Sequence, residues 1–501
     1  MKKKLSLILI AMTAALFVAC GTADKDTGKQ IQSLDDLNGA RIGVQLGTIG
    51  DIYASDMEGD EAGTTIERYN KLTDAVQALR QGKIDCVIVD EQPAIATTEG
   101  EANLEILDEP FTTEDYAICI AKDNEELLEK VNGALSELME DGTLEQITKN
   151  YIGAETKGTC PYETPAGTVY DNGKLVVVSN VAFPPYEYYE NGEAVGIDME
   201  LIKAIGDKLG MEIEIEDIEF DSIINAVSSH KADLGIAGMT KTEERLKSIN
   251  FSESYVKTKQ VIIVNNGAAA GSSISFTDNL KRNFVDDSRW TYLVKGLVNT
   301  LIIALCAVLA GMIIGFIVAI VRVTYDKTGG WAIANAICKL YLTIIRGTPM
   351  MIQLLIIYYV VFKSVNVPKL LVAIIAFAIN SGAYVAEIMR GGIMSIDGGQ
   401  MEAGRSLGLN YKQTMISIIL PQAIKNVLPA LGNEFISLIK ETSICGYIGL
   451  MDLTRGGDII RSITYEAFLP LIAVALIYLI IVQVLNMGVG KLEKNLRKSE
   501  R

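Results

Sequence analysis

Hydrophobic positions follow two different patterns along the 501-residue chain, and the change between them comes near Trp290. Before Trp290, short apolar runs that are typical of buried β-strands alternate with stretches in which apolar residues recur at helical spacing. After Trp290, uncharged runs such as Gly296–Val321 are long enough to cross a hydrocarbon core of about 30 Å. The pattern predicts an α/β region followed by an all-α membrane region.

The α/β region consists of two blocks, residues 34–155 and 174–266, separated by a linker at 156–173 that is rich in Gly, Thr and Pro. The pattern in the first block predicts strands and helices at Ala40–Val44, Ala75–Gln81, Asp85–Val89, Asp115–Ala121 and Glu125–Asp141. In the second block it predicts them at Leu175–Val178, Asp198–Leu209, Glu212–Glu216, Ser222–Ser229 and Asp233–Ala237. Strands and helices alternate in both blocks.

Residues 267–289, which start with an Ala-, Gly- and Ser-rich stretch, form a second linker, and residues 290–501 form the membrane region. Five spans are predicted, at Gly296–Val321, Met350–Phe362 (extended by Thr343–Ile345), Leu370–Ala386, Leu428–Ile448 and Ala467–Gly490. Basic residues cluster after the first span, between residues 390 and 425, and at the end of the chain. With an outside start, five crossings place all three clusters inside, as the positive-inside rule requires.

Composition agrees with this division of the chain. Hydrophobic residues make up 49% of the sequence and the mean hydropathy is +0.26, values typical of a protein with membrane spans. From Trp290 onward, 19 Lys and Arg stand against 11 Asp and Glu, a balance of +8, whereas the preceding part has a balance of −25. An acidic first half of this kind argues against nucleic acid as a partner.

Cysteine and histidine usage argues against several kinds of site. None of the seven cysteines belongs to a CxxC pair or a Cys/His cluster, so neither a zinc site, nor any other metal site, nor a disulfide framework is indicated. The single histidine, His230, leaves little room for histidine-based nucleophilic catalysis.

The N-terminus has the features of a secretory leader. Lys2–Lys4 precede the apolar stretch Leu5–Ala19, and Phe17–Cys20 resembles a lipobox in which Cys20 is lipidated after cleavage. An uncleaved anchor over residues 1–20 is the alternative. In either case we expect the α/β region to lie outside the cytoplasm.

Short motifs of the α/β region resemble those of periplasmic-type solute-binding proteins for polar amino acids. Motifs of that family's first half are Ala182–Glu187 (AFPPYE), Gly196–Asp198 (GID), Gly238–Arg245 (GMTKTEER) and Asn250–Ser252 (NFS). Motifs of its second half are Leu46–Thr48 (LGT), Asp85–Asp90 and Asp141–Thr143 (DGT). The resemblance implies the two-lobed type II fold with its halves in swapped order, which predicts a circular permutation that opens one of the connections between the lobes. Halves that complement each other between two chains, or a deletion from a tandem ancestor, are the alternatives.

The chemistry of a free amino acid indicates roles for residues in these motifs. Arg245 can bind the α-carboxylate in a bidentate manner, assisted by the Thr240 hydroxyl and by backbone N–H groups near Gly238 and Thr240. The Asp90 carboxylate can accept from the α-ammonium. Because Asp90 and Arg245 belong to different halves, a zwitterion bound by both would bridge the lobes. The alternative interpretations are a surface charge for Arg245 and a helix cap for Asp90.

Other motif positions define the rest of the expected site. Phe183 and Phe220 can enclose the stem of the substrate side chain, although either ring can equally be plain core. Thr48 can donate to the carboxylate at a helix N-terminus. Gln45 and Asn180 lie where the family varies with specificity, and two neutral amides favour a neutral polar substrate such as glutamine over a cationic one.

The stretch Glu402–Pro421 (EAGRSLGLNYKQTMISIILP) lies between two predicted spans. We expect a short helix, a turn at Gly408–Asn410, a second helix and a stop at Ile419–Pro421. Glu402, Ala403 and Gly404, then Gly408, then the Ile-Leu-Pro that ends at Pro421 resemble the "EAA" coupling motif of ATP-binding-cassette (ABC) importer permeases. Arg346–Pro349 (RGTP) resembles a segment of the polar amino-acid branch of these permeases.

These resemblances imply the substrate-binding and membrane-spanning subunit of an ABC type I importer for polar amino acids, which works by alternating access as a homodimer. No GxxxxGK[ST] motif occurs in the sequence, so we expect ATP-Mg to be bound by a separate cytoplasmic ATPase dimer, with no cofactor in this chain. The intramembrane charges Glu434, Lys440 and Glu441 are candidates for the transport pathway or for structural pairs. A ligand-gated channel or a transmembrane amino-acid sensor with the same binding fold is the alternative function.

Overall fold

The computed structural model describes residues 29–498 except residues 60, 100, 154, 268–274, 364, 366 and 465. The predicted leader, the lipidation candidate Cys20 and most of the tether that follows lie outside the described residues. The chain divides into two compact units: unit 1 is Met1–Asp115 with Val256–Ser273, and unit 2 is Tyr116–Tyr255 with Ile274–Arg501. Unit 2 therefore contains both α/β residues and the membrane helices.

The α/β region alternates strands and helices, as its sequence pattern predicts. Its strands are β1 (Arg41–Gln45), β2 (Thr65–Tyr69), β3 (Cys86–Asp90), β4 (Leu104–Ile106), β5 (Thr112–Ala121), β6 (Lys174–Ser179), β7 (Tyr188–Glu190), β8 (Glu193–Val195), β9 (Glu212–Asp217), β10 (Leu234–Gly235) and β11 (Ile249–Asn265). Its helices are α1 (Ile49–Ser55), α2 (Leu72–Arg80), α3 (Glu91–Thr98), α4 (Glu125–Glu140), α5 (Thr143–Tyr151), α6 (Ile197–Leu209) and α7 (Ile223–Ser228). Each predicted strand and helix overlaps one of these elements.

Unit 1 is built on a sheet with the strand order β2-β1-β3-β11, in which β4 also pairs with β11. The pairs β1–β2 and β1–β3 are parallel, and β11 runs antiparallel to β3 with Gln260 opposite Asp90. Every residue of β3 is buried, as expected for a strand whose two faces are both covered. The core is formed by apolar side chains that include Ile42, Val44, Cys86, Ile88 and Ile262.

The α/β part of unit 2 is built on the strand order β5-β10-β6-β9. β10 pairs antiparallel with β5 and parallel with β6, and β6 pairs in parallel with β9. Helix α6 begins after Gly196 at φ 129°, where a Cβ would lie 2.1 Å from the Tyr186 carbonyl oxygen, and is followed by Gly210 in the left-handed conformation. These two glycines place the ends of α6.

The linker between the two blocks follows a defined path over unit 2. Its described residues contain neither helix nor strand, but the Tyr162 and Tyr170 hydroxyls donate to the two carboxylate oxygens of Asp207 on α6, at 2.9 and 2.7 Å. The Asn172 side chain donates to the Leu209 carbonyl at 2.7 Å. The connection from α5 to β6 is therefore held by side-chain hydrogen bonds.

Each of the two units contains residues from both blocks of the α/β region. The chain passes from unit 1 to unit 2 along β5 and returns along β11, and both strands are continuous. The new ends, before β1 and after β11, therefore lie within unit 1. The expectation that the permutation opens a connection between the lobes is wrong, because both crossing strands are intact.

The membrane region is helical. Its helices are α8 (Phe276–Leu280), α9 (Trp290–Thr328), α10 (Ala332–Gly347), α11 (Met350–Ile356), α12 (Lys369–Met394), α13 (Gly398–Ser406), α14 (Tyr411–Thr414), α15 (Leu420–Glu441), α16 (Leu453–Thr464) and α17 (Phe468–Lys498). Among the described residues, four helical stretches are long and apolar enough to cross a membrane: Trp290–Thr328, Lys369–Met394, Tyr411–Ile448 and Phe468–Leu496. A fifth span is present if the bent pair Ala332–Gly347 and Met350–Val361 is counted as one.

The second predicted span is the one that differs from a straight helix. Its two parts are bent by 110° at Thr348-Pro349. Proline disfavours the helical conformation of the residue before it, and Thr348 accordingly has φ −122° and ψ 146°. The RGTP segment therefore forms a sharp corner, so the prediction of a simple span with an N-terminal extension is wrong.

The predicted stop at Ile419–Pro421 is also wrong. The chain continues from α14 through a π-helical turn at Met415–Ile419 into α15, so that Tyr411–Ile448 is one helical stretch. Pro421 lies in the first turn of α15. The hydrogen-bonding register shifts in the preceding π-turn, so the N–H group that proline lacks does not interrupt the helix.

Candidate functional site

Unit 2 brings together Arg245, Thr240 and Phe220. Arg245 lies in the 3₁₀ turn Arg245–Lys247, and only 7% of its surface is exposed. One guanidinium nitrogen, Nη1, donates to the Thr240 carbonyl at 2.5 Å, and the guanidinium carbon lies 5.7 Å from the centre of the Phe220 ring. A buried cation with several donors in a planar fork is suited to binding a carboxylate.

Gly238, two residues before Thr240, packs against the Phe183 ring. Its φ of 51° is left-handed, and a Cβ there would lie 3.2 Å from the rings of both Phe183 and Tyr116. The Gly238 N–H donates to the Asp198 carboxylate at 2.9 Å. Gly238 therefore shapes the site through its backbone conformation and its close approach to the rings, while its N–H is bound by Asp198.

Asp198 is a residue of this site that the sequence did not predict, although its GID motif was recognised. It is fully buried at the start of α6, and the Tyr255 hydroxyl lies 2.9 Å from both of its carboxylate oxygens. The Glu187 side chain is hydrogen bonded to it as well. Burial raises the pKa of Asp198 to about 6, while the Gly238 N–H and the Tyr255 hydroxyl favour its charged form.

We expect Asp198→Asn to change how the stability of the chain depends on pH. Because the folded-state pKa is raised from 3.8 to about 6, the folded state favours the protonated carboxyl; the contribution of Asp198 is therefore highest below about pH 4 and is lost as the pH rises through about 6. Asparagine does not titrate, so the free energy of unfolding of the variant relative to wild type should rise by about 3 kcal/mol between about pH 4 and pH 7. Urea unfolding of the detergent-solubilised full chain measures this difference.

Asp233→Asn is the control for the pH experiment. The Asp233 carboxylate also accepts a backbone N–H, from Val176 at 2.7 Å, but it lies directly before β10, whereas Gly238, which donates to Asp198, lies after that strand. A pH-independent difference between Asp198→Asn and wild type would contradict the assignment of a buried, titrating carboxyl.

Asn180 lies next to this group but uses part of its amide within the protein. It is buried, and its Nδ2 donates to the Ile218 carbonyl at 2.8 Å. Phe220, two residues further along the chain, is the residue whose ring faces Arg245. Asn180 therefore also positions the Ile218–Phe220 backbone, in addition to its predicted place in substrate selection.

Unit 1 contains the other three predicted residues, Gln45, Thr48 and Asp90. Gln45 and Asp90 are buried at the C-terminal ends of the adjacent parallel strands β1 and β3. The Thr48 hydroxyl donates to the Gln45 carbonyl at 2.7 Å and accepts from the Asp51 N–H at 3.4 Å, so it caps α1. Asp90 precedes α3, but its side chain makes no capping hydrogen bond to that helix. Asp90 therefore occupies the N-cap position of α3, as the helix-cap interpretation has it, but its side chain does not cap the helix.

The three intramembrane charges have different surroundings. Glu434 accepts from the Ser381 hydroxyl at 2.9 Å, which joins α15 to α12. Glu441 is partly buried at the end of α15, whereas Lys440 is exposed. On α12, Asn380 next to Ser381 donates to Gln353 at 3.0 Å. Glu434 thus lies beside a cluster of polar side chains inside the helical region.

The coupling stretch forms the predicted helical hairpin up to its second helix. Gly404 lies against that helix, where a Cβ would come within 2.5 Å of the Thr414 methyl group. Gly408 has a left-handed φ of 87°, and the side chains of Asn410 and Gln413 cap the start of α14 reciprocally. Leu407, at the tip, is 81% exposed, and Glu402 and Ala403 are exposed beside it. Leu407 is thus a large apolar side chain that the hairpin exposes at its tip.

Within the part of the chain that the structure describes, no group of three or more His, Cys, Asp or Glu side chains could hold a metal ion.

Known proteins match both parts of the chain. The family model of bacterial extracellular solute-binding proteins, family 3, matches residues 175–445, starting in β6. The putative glutamine transport system permease protein GlnP of Rickettsia typhi is 38% identical over 207 residues, which is 41% of this chain and 93% of that protein. The glutamine transport system permease protein GlnP of Escherichia coli K12 is 38% identical over 208 residues, with the same coverage.

Among solved structures, a crystal structure of an amino acid ABC transporter with histidines is 38% identical in sequence; the match covers 45% of this chain and all of that chain, with a TM-score of 0.41. The family model covers more than half of the sequence, and the permease relatives are matched over nearly their whole length. The chain therefore belongs to the bacterial extracellular solute-binding proteins of family 3 and, in the same polypeptide, to the family of the GlnP permease proteins.

Proposed function

We propose that this chain is the substrate-binding and membrane-spanning subunit of an ATP-driven importer for polar amino acids, with a glutamine-like neutral amino acid as substrate. One observation carries the proposal: buried Arg245 and Thr240, with the half-buried Phe220 ring beside them, lie in the same compact unit as membrane helices that present an exposed hairpin. The proposed ligand-binding residues and the proposed docking site for the ATPase therefore belong to the same chain. The names of the GlnP relatives support glutamine as the first substrate to test.

The binding chemistry follows from the charges of a zwitterion. The Arg245 guanidinium binds the α-carboxylate and replaces the water that the anion loses on entering the protein. The Phe220 and Phe183 rings cover the apolar stem of the ligand. The neutral amide of Asn180 favours a neutral side chain on the ligand over a cationic one.

The energy for transport comes from a partner protein. The hairpin from Gly398 to Ile419 docks on a cytoplasmic ABC ATPase, with Leu407 as its apolar contact, and a second copy of the chain completes the membrane pore. ATP-Mg is bound by that ATPase. When the ATPase dimer closes, it moves the hairpins, and the helices that continue from them alternate access to the pore.

Reconstitution with a cassette ATPase tests the proposal. In proteoliposomes, L-glutamine outside should stimulate ATP hydrolysis several-fold and accumulate inside only when ATP is present. A ligand-gated channel would instead conduct ions without ATP. A sensor would bind the amino acid without uptake or stimulated hydrolysis. If the chain binds amino acids, ion conduction without ATP would reject the importer and indicate a channel. Binding without uptake or stimulated hydrolysis would reject the importer and indicate a sensor.

A further inference from the structure

The four residues Asp217–Phe220, where β9 ends, are contacted by the membrane region and by the ligand-binding residues, all within unit 2. On the membrane side the contact is Arg455 of α16. Arg455 Nη2 lies 2.6 Å from Asp217 Oδ2, and its Nη1 lies 2.5 Å from Glu219 Oε1. The Arg455 side chain is 5% exposed, and its two partners are nearly as buried. This ion triad is therefore well shielded from water.

Arg455 is held in place from its own side. The Asp452 carboxylate accepts the Arg455 N–H at 2.6 Å at the start of α16. A Cβ on Gly456 would lie 2.6 Å from the Tyr292 carbonyl oxygen, and one on Gly296 would lie 2.2 Å from the Asp452 carbonyl oxygen. These glycines let α16 and the loop before it pack directly on α9. The Arg455 guanidinium thus projects from a helix that packs closely against α9.

On the ligand side, the same four residues contact the proposed amino-acid site. The Ile218 carbonyl accepts from Asn180 at 2.8 Å, and Asp217 Oδ1 accepts from the Val181 N–H at 3.1 Å. The Phe220 ring faces the Arg245 guanidinium at 5.7 Å. Ile218, which lies between the two acceptors of Arg455, is thus bound by Asn180. Phe220, which follows Glu219, faces Arg245.

We propose that Arg455 is a positioning residue for the amino-acid site: by binding Asp217 and Glu219 it holds Phe220 against Arg245, so that substrate affinity depends on the contact with the membrane region. This inference rests on the proposed function. Coupling between two contacts is reciprocal, so a bound amino acid strengthens the Arg455 contact by the same factor. The binding lobe would then signal occupancy to α16 through Asp217–Phe220.

A second ion pair between the same strand and the membrane region provides a matched control. Lys369 Nζ of α12 lies 2.8 Å from Glu216 Oε2, one residue before Asp217. This pair also joins the strand to the membrane region, but its acceptor Glu216 lies before the Asp217–Phe220 segment, whereas both acceptors of Arg455 lie within it. If anchoring alone matters, the loss of either cation should have the same effect on affinity.

The test measures L-glutamine affinity in the full chain, purified in lipid nanodiscs, and screens the other standard amino acids if glutamine does not bind. We expect Arg455→Gln to weaken affinity about 5- to 20-fold and Lys369→Gln to weaken it less than about 2-fold. Equal losses in the two variants, or no loss in Arg455→Gln, would overturn the inference. If wild type binds none of the standard amino acids, the proposed function itself fails, which is a distinguishable result.

Two more variants separate positioning from folding. If Arg455 acts through Phe220, Arg455→Gln should cause little further loss of affinity in a Phe220→Leu background. Fully additive losses would contradict this route. If Arg455→Gln does not fold, Glu219→Gln removes one of the two contacts and keeps Asp217, and it should give a smaller loss of affinity. An unchanged affinity in Glu219→Gln would then decide against the inference.

Discussion

Arg245→Ala should reduce the affinity of the full chain for amino acid by about 30-fold to several thousand-fold. Removing one member of a buried, hydrogen-bonded charge pair typically costs about 2 to 5 kcal/mol, because the other charge is left in the protein without its partner. In the proposed site that other charge is the α-carboxylate of the ligand. Equilibrium binding of radiolabelled L-glutamine to the purified protein measures the loss.

Lys247→Ala is the matched control for this prediction. Lys247 ends the same 3₁₀ turn and carries the same charge, but its side chain is exposed. We expect its removal to leave affinity within about 2-fold, because an exposed charge is screened by water and salt. Equal, small effects of the two substitutions would show that Arg245 does not bind the ligand.

Gly408→Pro should abolish uptake and amino-acid-stimulated ATP hydrolysis while leaving amino-acid affinity unchanged. Gly408 has φ 87°, which proline cannot adopt, and its N–H donates to the Arg405 carbonyl at 3.0 Å. The substitution therefore displaces the hairpin tip and with it the exposed Leu407. Uptake into proteoliposomes that contain the ATPase, measured beside binding in nanodiscs, separates the two effects.

Gly329→Pro carries a comparable backbone defect elsewhere. Gly329 follows α9 with φ 68°, and its N–H donates to the Tyr325 carbonyl at 2.8 Å. We expect this variant to retain most of its uptake, because Gly329 lies outside the coupling stretch. Uptake that survives Gly408→Pro, or that is lost equally in both variants, would mean that the hairpin does not couple transport to ATP hydrolysis.

Local patterns were enough to predict most elements of the α/β region. The strands β1, β3 and β6 and the helices α4 and α6 lie within a few residues of their predicted bounds, since each is a short apolar run or a clear helical stripe. The 17-residue strand β11 was missed because its first half mixes exposed and buried positions. That irregular half contains Tyr255, whose hydroxyl binds Asp198. A residue pair of this kind, 57 positions apart, has no local signal.

In the membrane region, hydropathy located the apolar helices but not their breaks. Thr348-Pro349 bends one predicted span by 110°, whereas Pro421 does not end the helix in which it was expected to be a stop. The same residue type has opposite consequences because a π-turn precedes Pro421. Hydrogen-bonding register is a property of neighbouring turns in space, so composition alone does not reveal it.

By itself, the sequence determined the fold class, the positions of most strands and helices of the α/β region and the apolar helices of the membrane region, because these depend on local runs and short spacings of residue types. Only the tertiary structure decided that Gly238 is bound by Asp198, that the new chain ends lie within unit 1, and that Arg455 binds Asp217 and Glu219. Arg455 lies more than 200 positions from Glu219 in the chain. Contacts over such separations arise from packing of whole elements, and a single sequence carries no periodic signal for them.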